Sequence, residues 1–297
     1  MMMSHSRGHR APPGRIAYVG GRYIAHGEAS VHIEDRGLQF ADSVYEVCAV
    51  QGGRVMDEAP HLVRLERSLS ELGISMPMVP DALKIVLREV ARRNYLRDGF
   101  LYLQVTRGEA TRDHAATDAM HPLLIITAKR IDPKAIEKRR AAGVAVVTTP
   151  ENRWGRCDIK STALLPNVLA KTDAKKRGAY EAWFVDANGF VTEGSSTNAW
   201  IVTADGHAVT RALHDNILPG VTRSVALRAA ADVAIEERAF SVEEAYTARE
   251  AFLTSATGGV MPVITIDGRK VGEGKPGPVA ARLQALYRDL SQKESMA

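Results

Sequence analysis

Lys160 stands in the stretch RCDIKST, after a charged turn carrying Arg156 and Asp158 and before the apolar run Ala163-Leu164-Leu165 and Val168-Leu169-Ala170. A lysine where a loop meets a buried helix is placed for imine chemistry, because desolvation favours the nucleophilic neutral amine. Glu193 lies further on, in TEGSSTN, beyond a strand, the DANG turn Asp186 to Gly189 and a second strand. It is one carboxylate among small hydroxyl residues, a setting in which an acid can pair with a protonated ring nitrogen.

An imine-forming lysine and an acid beside a pyridinium are the two protein groups that pyridoxal phosphate chemistry needs most. Spacing alone leaves Lys160 open to a plainer reading as a solvated loop lysine, since lysine is rarely buried without a partner. The wording of the motifs narrows it. RCDIKS followed by TEGSSTN resembles the fold-type IV pyridoxal phosphate aminotransferases, and among them the D-amino acid aminotransferases most. The resemblance runs from about Ile16 to about Tyr287 and includes DRGLQFADSVYEV, HLVRLERS, YLQVTRG and LPGVTR.

The resemblance implies an α+β fold of two domains, a smaller N-terminal α/β domain and a larger C-terminal β-barrel-like domain with surrounding helices, with the cofactor between them. The expected division is a flexible tail over 1–14, a small domain over 15–129, a linker over 130–135 and a large domain over 136–297. Pyridoxal 5′-phosphate is the implied cofactor, with Lys160 binding it and Glu193 beside its ring nitrogen. Arg64 matches the family's HxxRL arginine on the phosphate, a role that suits a guanidinium fork. Leu218, Val221 and Thr222 match further cofactor contacts, as do Ser195, Ser196 and the loop of Ser255, Ala256 and Thr257. Tyr45 matches the tyrosine that lines the active site and helps hold the substrate. Arg112 and His114 match an Arg-x-His pair that captures the substrate α-carboxylate across a dimer interface. Three positions depart from the usual pattern: Leu38, where an aromatic is common, Ala256, where threonine is common, and Gly259, where an acid is common.

The elements that must position these groups follow from periodicity. Ile16 to Ile24 reads as a hairpin around Gly20-Gly21, and Val47 to Met56 as another around Gly52-Gly53. VHIED, residues 31 to 35, reads as a strand. Leu62, Leu65, Leu69 and Leu72 form the stripe of a helix that starts at Asp57-Glu58, with Arg64 and Arg67 off the stripe. Asp81 to Asn94 is a second amphipathic helix, Phe100 to Arg107 a strand, and Glu109 to Asp118 a loop holding Arg112 and His114. Asp132-Pro133 marks the linker. The helix opening after Pro219-Gly220 offers free N–H groups to an anion, although an ordinary capped helix would look the same. A last helix, Pro278 to Leu290, places Val279, Leu283, Leu286 and Leu290 inward.

Composition excludes other classes. The 297 residues carry 39 basic and 35 acidic side chains well mixed, so the pI near 9.1 reflects a small excess and no nucleic-acid-binding stripe. Cys48 and Cys157 are too few for a disulfide framework and suit a reducing cytoplasm. No apolar run reaches the roughly 18 residues of a membrane helix, and MMMSHSRGHRAPPG lacks the apolar core of a secretory signal. There is no HExxH, no G-x-S-x-G and no Cys/His cluster at metal spacing, and Gly272 to Gly277 is a turn and no phosphate loop.

The expected activity is a ping-pong transfer of the amino group from a D-amino acid such as D-alanine to a 2-oxo acid such as 2-oxoglutarate, by a cytoplasmic homodimer. An (R)-selective amine transaminase, a branched-chain L-amino acid aminotransferase and an aminodeoxychorismate lyase are the alternatives within the family. Arg112 and His114 weigh against the first two. A non-catalytic binding protein is the alternative from another class, and retention of both Lys160 and Glu193 weighs against it.

Overall fold

The computed structural model describes residues 14–117, 120–213, 217–230 and 232–296. The expected tail over 1–14 therefore lies, but for Gly14, outside the described residues. In chain order the first half holds β1 (Ile16–Val19), β2 (Arg22–Ala25), α1 (Arg36–Phe40), β3 (Ser43–Gln51), β4 (Arg54–Val55), α2 (Glu58–Glu71), α3 (Pro80–Arg93), β5 (Gly99–Thr106) and β6 (Leu123–Arg130). The second half holds α4 (Pro133–Ala142), β7 (Val144–Pro150), α5 (Leu165–Lys176), β8 (Glu181–Val185), β9 (Val191–Gly194), β10 (Asn198–Val202) and β11 (Ala208–Thr210). It continues with α6 (Val221–Ala229), β12 (Ile235–Glu237), α7 (Val242–Thr247), β13 (Glu250–Ser255), β14 (Gly259–Ile266), β15 (Arg269–Lys270) and α8 (Pro278–Glu294).

The first six strands form one antiparallel sheet in the order β2-β1-β6-β5-β3-β4. Its buried face alternates along β5 as Leu101, Leu103 and Val105, and α2 and α3 cover that face with Leu62, Leu65, Leu69, Leu83, Leu87 and Val90. Each such leucine contributes about 1.5–3 kcal/mol by leaving water. The leucine stripe of α2 and the inward face of α3 thus lie where the spacing puts them.

The other nine strands form a mixed sheet, ordered β12-β11-β10-β13-β14-β7-β8-β9 with β15 beside β14. β7 runs parallel to both of its neighbours, β14 and β8, and α5 makes the crossover from β7 to β8. β9 and β10 stand at separate places in that order, yet only the turn Ser195–Thr197 joins them and Gly194 N–H bonds the Thr197 carbonyl at 2.7 Å. The sheet must therefore curl back toward itself, giving the half-barrel that the α+β reading anticipates.

Three expectations need correction. VHIED is not a strand: Ile33 and Glu34 form a turn closed by the Asp35 N–H on the His32 carbonyl at 3.0 Å, and Asp35 caps α1 by accepting the Leu38 N–H at 3.1 Å. The helix after Lys160 is not buried by its large residues. Ala170 and Ala174 face Val147 and Phe184, while Leu165, Val168 and Leu169 are 69%, 54% and 60% exposed. Small residues let α5 lie close on the sheet, and the bulky ones project away. Finally, α8 turns Ala280, Leu283, Tyr287 and Ser291 inward, so Leu286 and Leu290 are only partly covered.

Candidate active site

The backbone around Lys160 is built onto the small sheet. Ile159 is buried in the core under α2, Ser161 bridges Val44, and Thr162 N–H donates to the Ser43 carbonyl at 3.0 Å. Lys160 itself accepts the Tyr45 N–H through its carbonyl at 3.0 Å and donates its own N–H to Ser68 Oγ at 3.3 Å. This segment occupies the edge of β3 beyond the point where β4 ends, so the start of β3 sets the position of the lysine. Lys160 Nζ lies 4.1 Å from the centroid of the Tyr45 ring, which stacks in turn on Tyr102 at 5.6 Å.

Glu193 comes from the large sheet, in β9. Its carboxylate is buried, with Oε1 accepting from Arg153 Nη1 at 2.5 Å and Oε2 from Asn198 Nδ2 at 3.1 Å and the Leu218 N–H at 3.2 Å. Burial pushes its pKa up to about 7, and the Arg153 charge, the Leu218 N–H and the Lys160 charge offset part of that rise. Arg153 is divided, because its Nε and Nη2 bond Glu151 at 2.9 and 2.6 Å. Glu193 is thus an acid that can carry or release a proton near neutrality.

Both groups face one cavity of about 240 Å³. Tyr45, Arg64, Leu218, Val221 and Thr222 line it as well, and so do Ser195, Ser196, Ser255, Ala256 and Thr257. Arg64 is held by a buried cluster: its Nε and Nη2 bond Glu46 at 2.7 and 2.8 Å, and its Nη1 bonds the Pro219 carbonyl at 2.9 Å. His61 Nδ1 meets the same Glu46 at 2.7 Å. Against the effect of burial, Arg64 and His61 hold the Glu46 carboxyl well below the usual range. Five N–H groups on the guanidinium leave donors to spare for an anion.

Beside Arg64, α6 begins at Val221 with Gly220 as N-cap and no side chain capping it. Gly220 is required there, since a Cβ would lie 1.9 Å from Asn198 Oδ1, the side chain that also holds Glu193. The Thr222 hydroxyl in the first turn is buried and completes no hydrogen bond within the chain, with the Tyr287 phenol nearby. Open amides, a positive helix end and a spare hydroxyl are what an anion site consists of.

Ser195 and Ser196 sit at the cavity wall with their hydroxyls committed elsewhere. Both donate to the buried Glu181, Ser196 at 2.7 Å, and Lys171 Nζ stands 3.1 Å from the same carboxylate. Cys157, also at the wall, has its thiol pushed up to about 11 by burial and donates to the Trp154 carbonyl at 3.1 Å.

Arg112 and His114 are not part of the cavity of their own chain. Their loop packs on α1: the Arg112 guanidinium carbon lies 4.5 Å and the His114 ring 5.4 Å from the Phe40 ring centroid. Arg36, buried, donates to the carbonyls of Asp113 and His114 at 2.6 and 3.0 Å and fixes the loop from below. Leu38 is on the same helix and is 62% exposed.

Sequence reasoning missed Arg153, Asn198, Glu181 and the Glu46–His61 pair. The only signal was general: a buried acid such as Glu193 requires a cation or donors, and nothing in the order of residues says which arginine supplies them. Among the described residues no group of His, Cys, Asp and Glu is arranged to hold a metal ion, and no helix is long and apolar enough to cross a membrane.

Comparison with known proteins adds to this geometry. The D-alanine aminotransferase of Bacillus licheniformis is 39% identical over 91% of this chain and 94% of its own length. That of Staphylococcus haemolyticus is 37% identical over 94% and 98%. The Escherichia coli branched-chain amino acid aminotransferase, 24% identical, superposes with a TM-score of 0.87 over 94% of this chain and 95% of that one, which shows the fold. A second branched-chain amino acid aminotransferase, from T.th. and solved with pyridoxamine 5′-phosphate, is 25% identical and has the same TM-score of 0.87 over the same shares, 94% and 95%. The model of the family amino-transferase class IV matches residues 43–266, from the start of β3 to the end of β14. The chain belongs to the class IV aminotransferases and is an enzyme of that family.

Proposed function

We propose that this aminotransferase works with pyridoxal 5′-phosphate in the Lys160 cavity and moves the amino group of a D-amino acid, such as D-alanine, to a 2-oxo acid, such as 2-oxoglutarate. The observation that carries the reading is that one amine, Lys160, and one buried acid poised near pH 7, Glu193, face the same cavity as an uncapped helix start. The open α6 terminus, the spare Thr222 hydroxyl and Arg64 fit a phosphate.

When bound, the cofactor supplies an electron sink for the substrate Cα. Lys160 would hold it, and its Nζ, the amine that faces the cavity, would take and return the substrate Cα proton. Glu193 would hold a proton at the ring nitrogen, and its raised pKa would let it share that proton without a full buried charge. Arg153, Asn198 and the Leu218 N–H hold the carboxylate in line. Arg64, Val221, Thr222 and the Ser255–Thr257 turn would hold the phosphate, while Tyr45, Ser195 and Ser196 would wall the ring. Positioning of the reacting atoms supplies much of the rate.

The D-amino acid reading is supported by the names of the two D-alanine aminotransferases compared above and by Arg112 and His114. Since that pair stands outside the cavity of its own chain, it serves as a carboxylate trap only for a second copy, and a homodimer is part of the proposal. The exposed Leu165, Val168 and Leu169, close in the chain to Lys160, give a second copy an apolar face to cover. The test is an absorption spectrum of the purified protein before and after D-alanine or L-alanine, each without and with 2-oxoglutarate. A cofactor band that D-alanine converts and 2-oxoglutarate restores is the expected result. Conversion by L-amino acids alone would transfer the enzyme to the branched-chain reading, and no band after added cofactor would overturn the role of Lys160.

A further inference from the structure

The turn Ala256–Gly258 between β13 and β14 is a thin wall between two cavities. Ser255, Ala256 and Thr257 face the Lys160 cavity; Thr257, Gly258 and Gly259 face a second one of about 310 Å³ on the far side. Two side chains reach the turn from that far side. Arg140 of α4 donates from Nη2 to the Gly258 carbonyl at 2.7 Å and from Nε to the Val260 carbonyl at 3.1 Å, and its Nη1 pairs with Glu137 at 2.5 Å. Gln284 of α8 accepts the Val260 N–H on Oε1 at 2.7 Å. Gly259 has φ +61, and a Cβ on it would lie 2.6 Å from that same Oε1. The glutamine amide therefore fills the space a side chain at 259 would need.

We propose that Arg140 and Gln284 are positioning residues that shape the 255–258 turn into a phosphate ligand without touching the phosphate. The inference rests on the reading of this turn as part of the phosphate site. Its physical content is the direction of the carbonyls. Arg140 draws those of Gly258 and Val260 toward the far cavity, so they do not oppose a dianion in the near one. Ser255 Oγ accepts the Gly258 N–H at 3.2 Å, which leaves its own proton free to donate. The clamp thus presents donors to the Lys160 cavity and withdraws acceptors from it.

The experiment is titration of the cofactor-stripped enzyme with pyridoxal 5′-phosphate and, separately, with pyridoxal, which lacks the phosphate, for the wild type, Arg140→Met, Arg140→Lys, Gln284→Leu and Ser255→Ala. Arg140→Met is expected to weaken binding of the phosphorylated form about tenfold, the effect of losing oriented hydrogen bonds, and to leave pyridoxal binding unchanged. Arg140→Lys, which can keep one carbonyl and not both, falls between. Gln284→Leu carries the same test should Arg140→Met fail to fold. Equal weakening of both ligands would overturn the proposal, because it reports general loosening. Unchanged affinity in the Arg140 and Gln284 variants, with Ser255→Ala selectively weakened, would overturn the clamp alone. No selective loss in any of them would overturn the phosphate role of the turn as well.

Discussion

Arg153 Nη1 and Glu193 Oε1 stand 2.5 Å apart at the buried end of the cavity, while the rest of the same guanidinium is given to Glu151. One cation is shared between two acids, and Thr192 Oγ1 ties in by donating to Glu151 at 2.7 Å. That sharing leaves Glu193 short of a full counter-charge, so burial wins and its pKa rises.

Removal of the arginine should therefore be costly in a way that removal of both charges is not. Arg153→Met is expected to destabilise the protein by about 3–5 kcal/mol, the usual penalty for a buried charge left without its partner. Adding Glu193→Gln to it should recover part of that loss. Urea unfolding of the two single variants and the double variant measures the coupling; strict additivity would contradict the pairing.

Glu193 should also leave a signature in stability against pH. Its folded pKa of about 7 lies above the ordinary 4.5, so the native state holds a proton that the unfolded chain gives up. Stability from this group is complete below about pH 4.5 and is lost as pH rises through about 7. The whole effect is roughly 3 kcal/mol at 1.36 kcal/mol for each pH unit. Thermal melting of the cofactor-free enzyme from pH 5 to pH 8 should show the fall, and Glu193→Gln should flatten it. An unchanged slope in that variant would place the titration elsewhere.

Arg36 and Arg112 give a graded pair of tests for the carboxylate trap. Arg112→Ala is expected to raise KM for D-alanine at least about tenfold, as a charge-assisted bond is lost, and to spare a primary amine that has no carboxylate. Arg36→Lys keeps the charge but loses part of its hold on the Asp113 and His114 carbonyls. It should give a smaller rise with the same selectivity. Steady-state kinetics on both substrates decides, and equal effects on the two would remove the trap.

A tie behind the Thr222 end of the cavity joins the two halves of the chain. Asp57, at the start of α2, accepts from Tyr287 at 3.0 Å and Ser291 at 2.7 Å, both on α8. Asp57→Ala strands a phenol and a hydroxyl in the interior and should cost about 2–3 kcal/mol by equilibrium unfolding.

Local order was sufficient for much of this protein. The two-residue period of Leu101, Leu103 and Val105 and the stripe of Leu62, Leu65 and Leu69 mark strand and helix by themselves, because side-chain direction repeats with a fixed period in each. The lysine and glutamate motifs likewise single out one amine and one acid, and the structure brings both to one cavity with the other residues expected at the cofactor. VHIED misled because its alternation fits a strand, while Asp35 uses its side chain to start a helix instead.

Tertiary structure decided what no local pattern carries. Which arginine meets Glu193 depends on the loop after β7 reaching β9 although β8 lies between the two strands in the sheet, and those segments are brought together only by the order of the sheet. Whether the leucines of α5 are inside or outside depends on which of its faces finds β7 and β8, and alanine allows the closer approach. Arg112 and His114 are expected to act across a dimer interface, and in their own chain Phe40 and Arg36 hold them away from the cavity. Periodicity in a sequence encodes burial along one element; the partners across elements are set by packing, where residues far apart in the chain compete for the same space and charge.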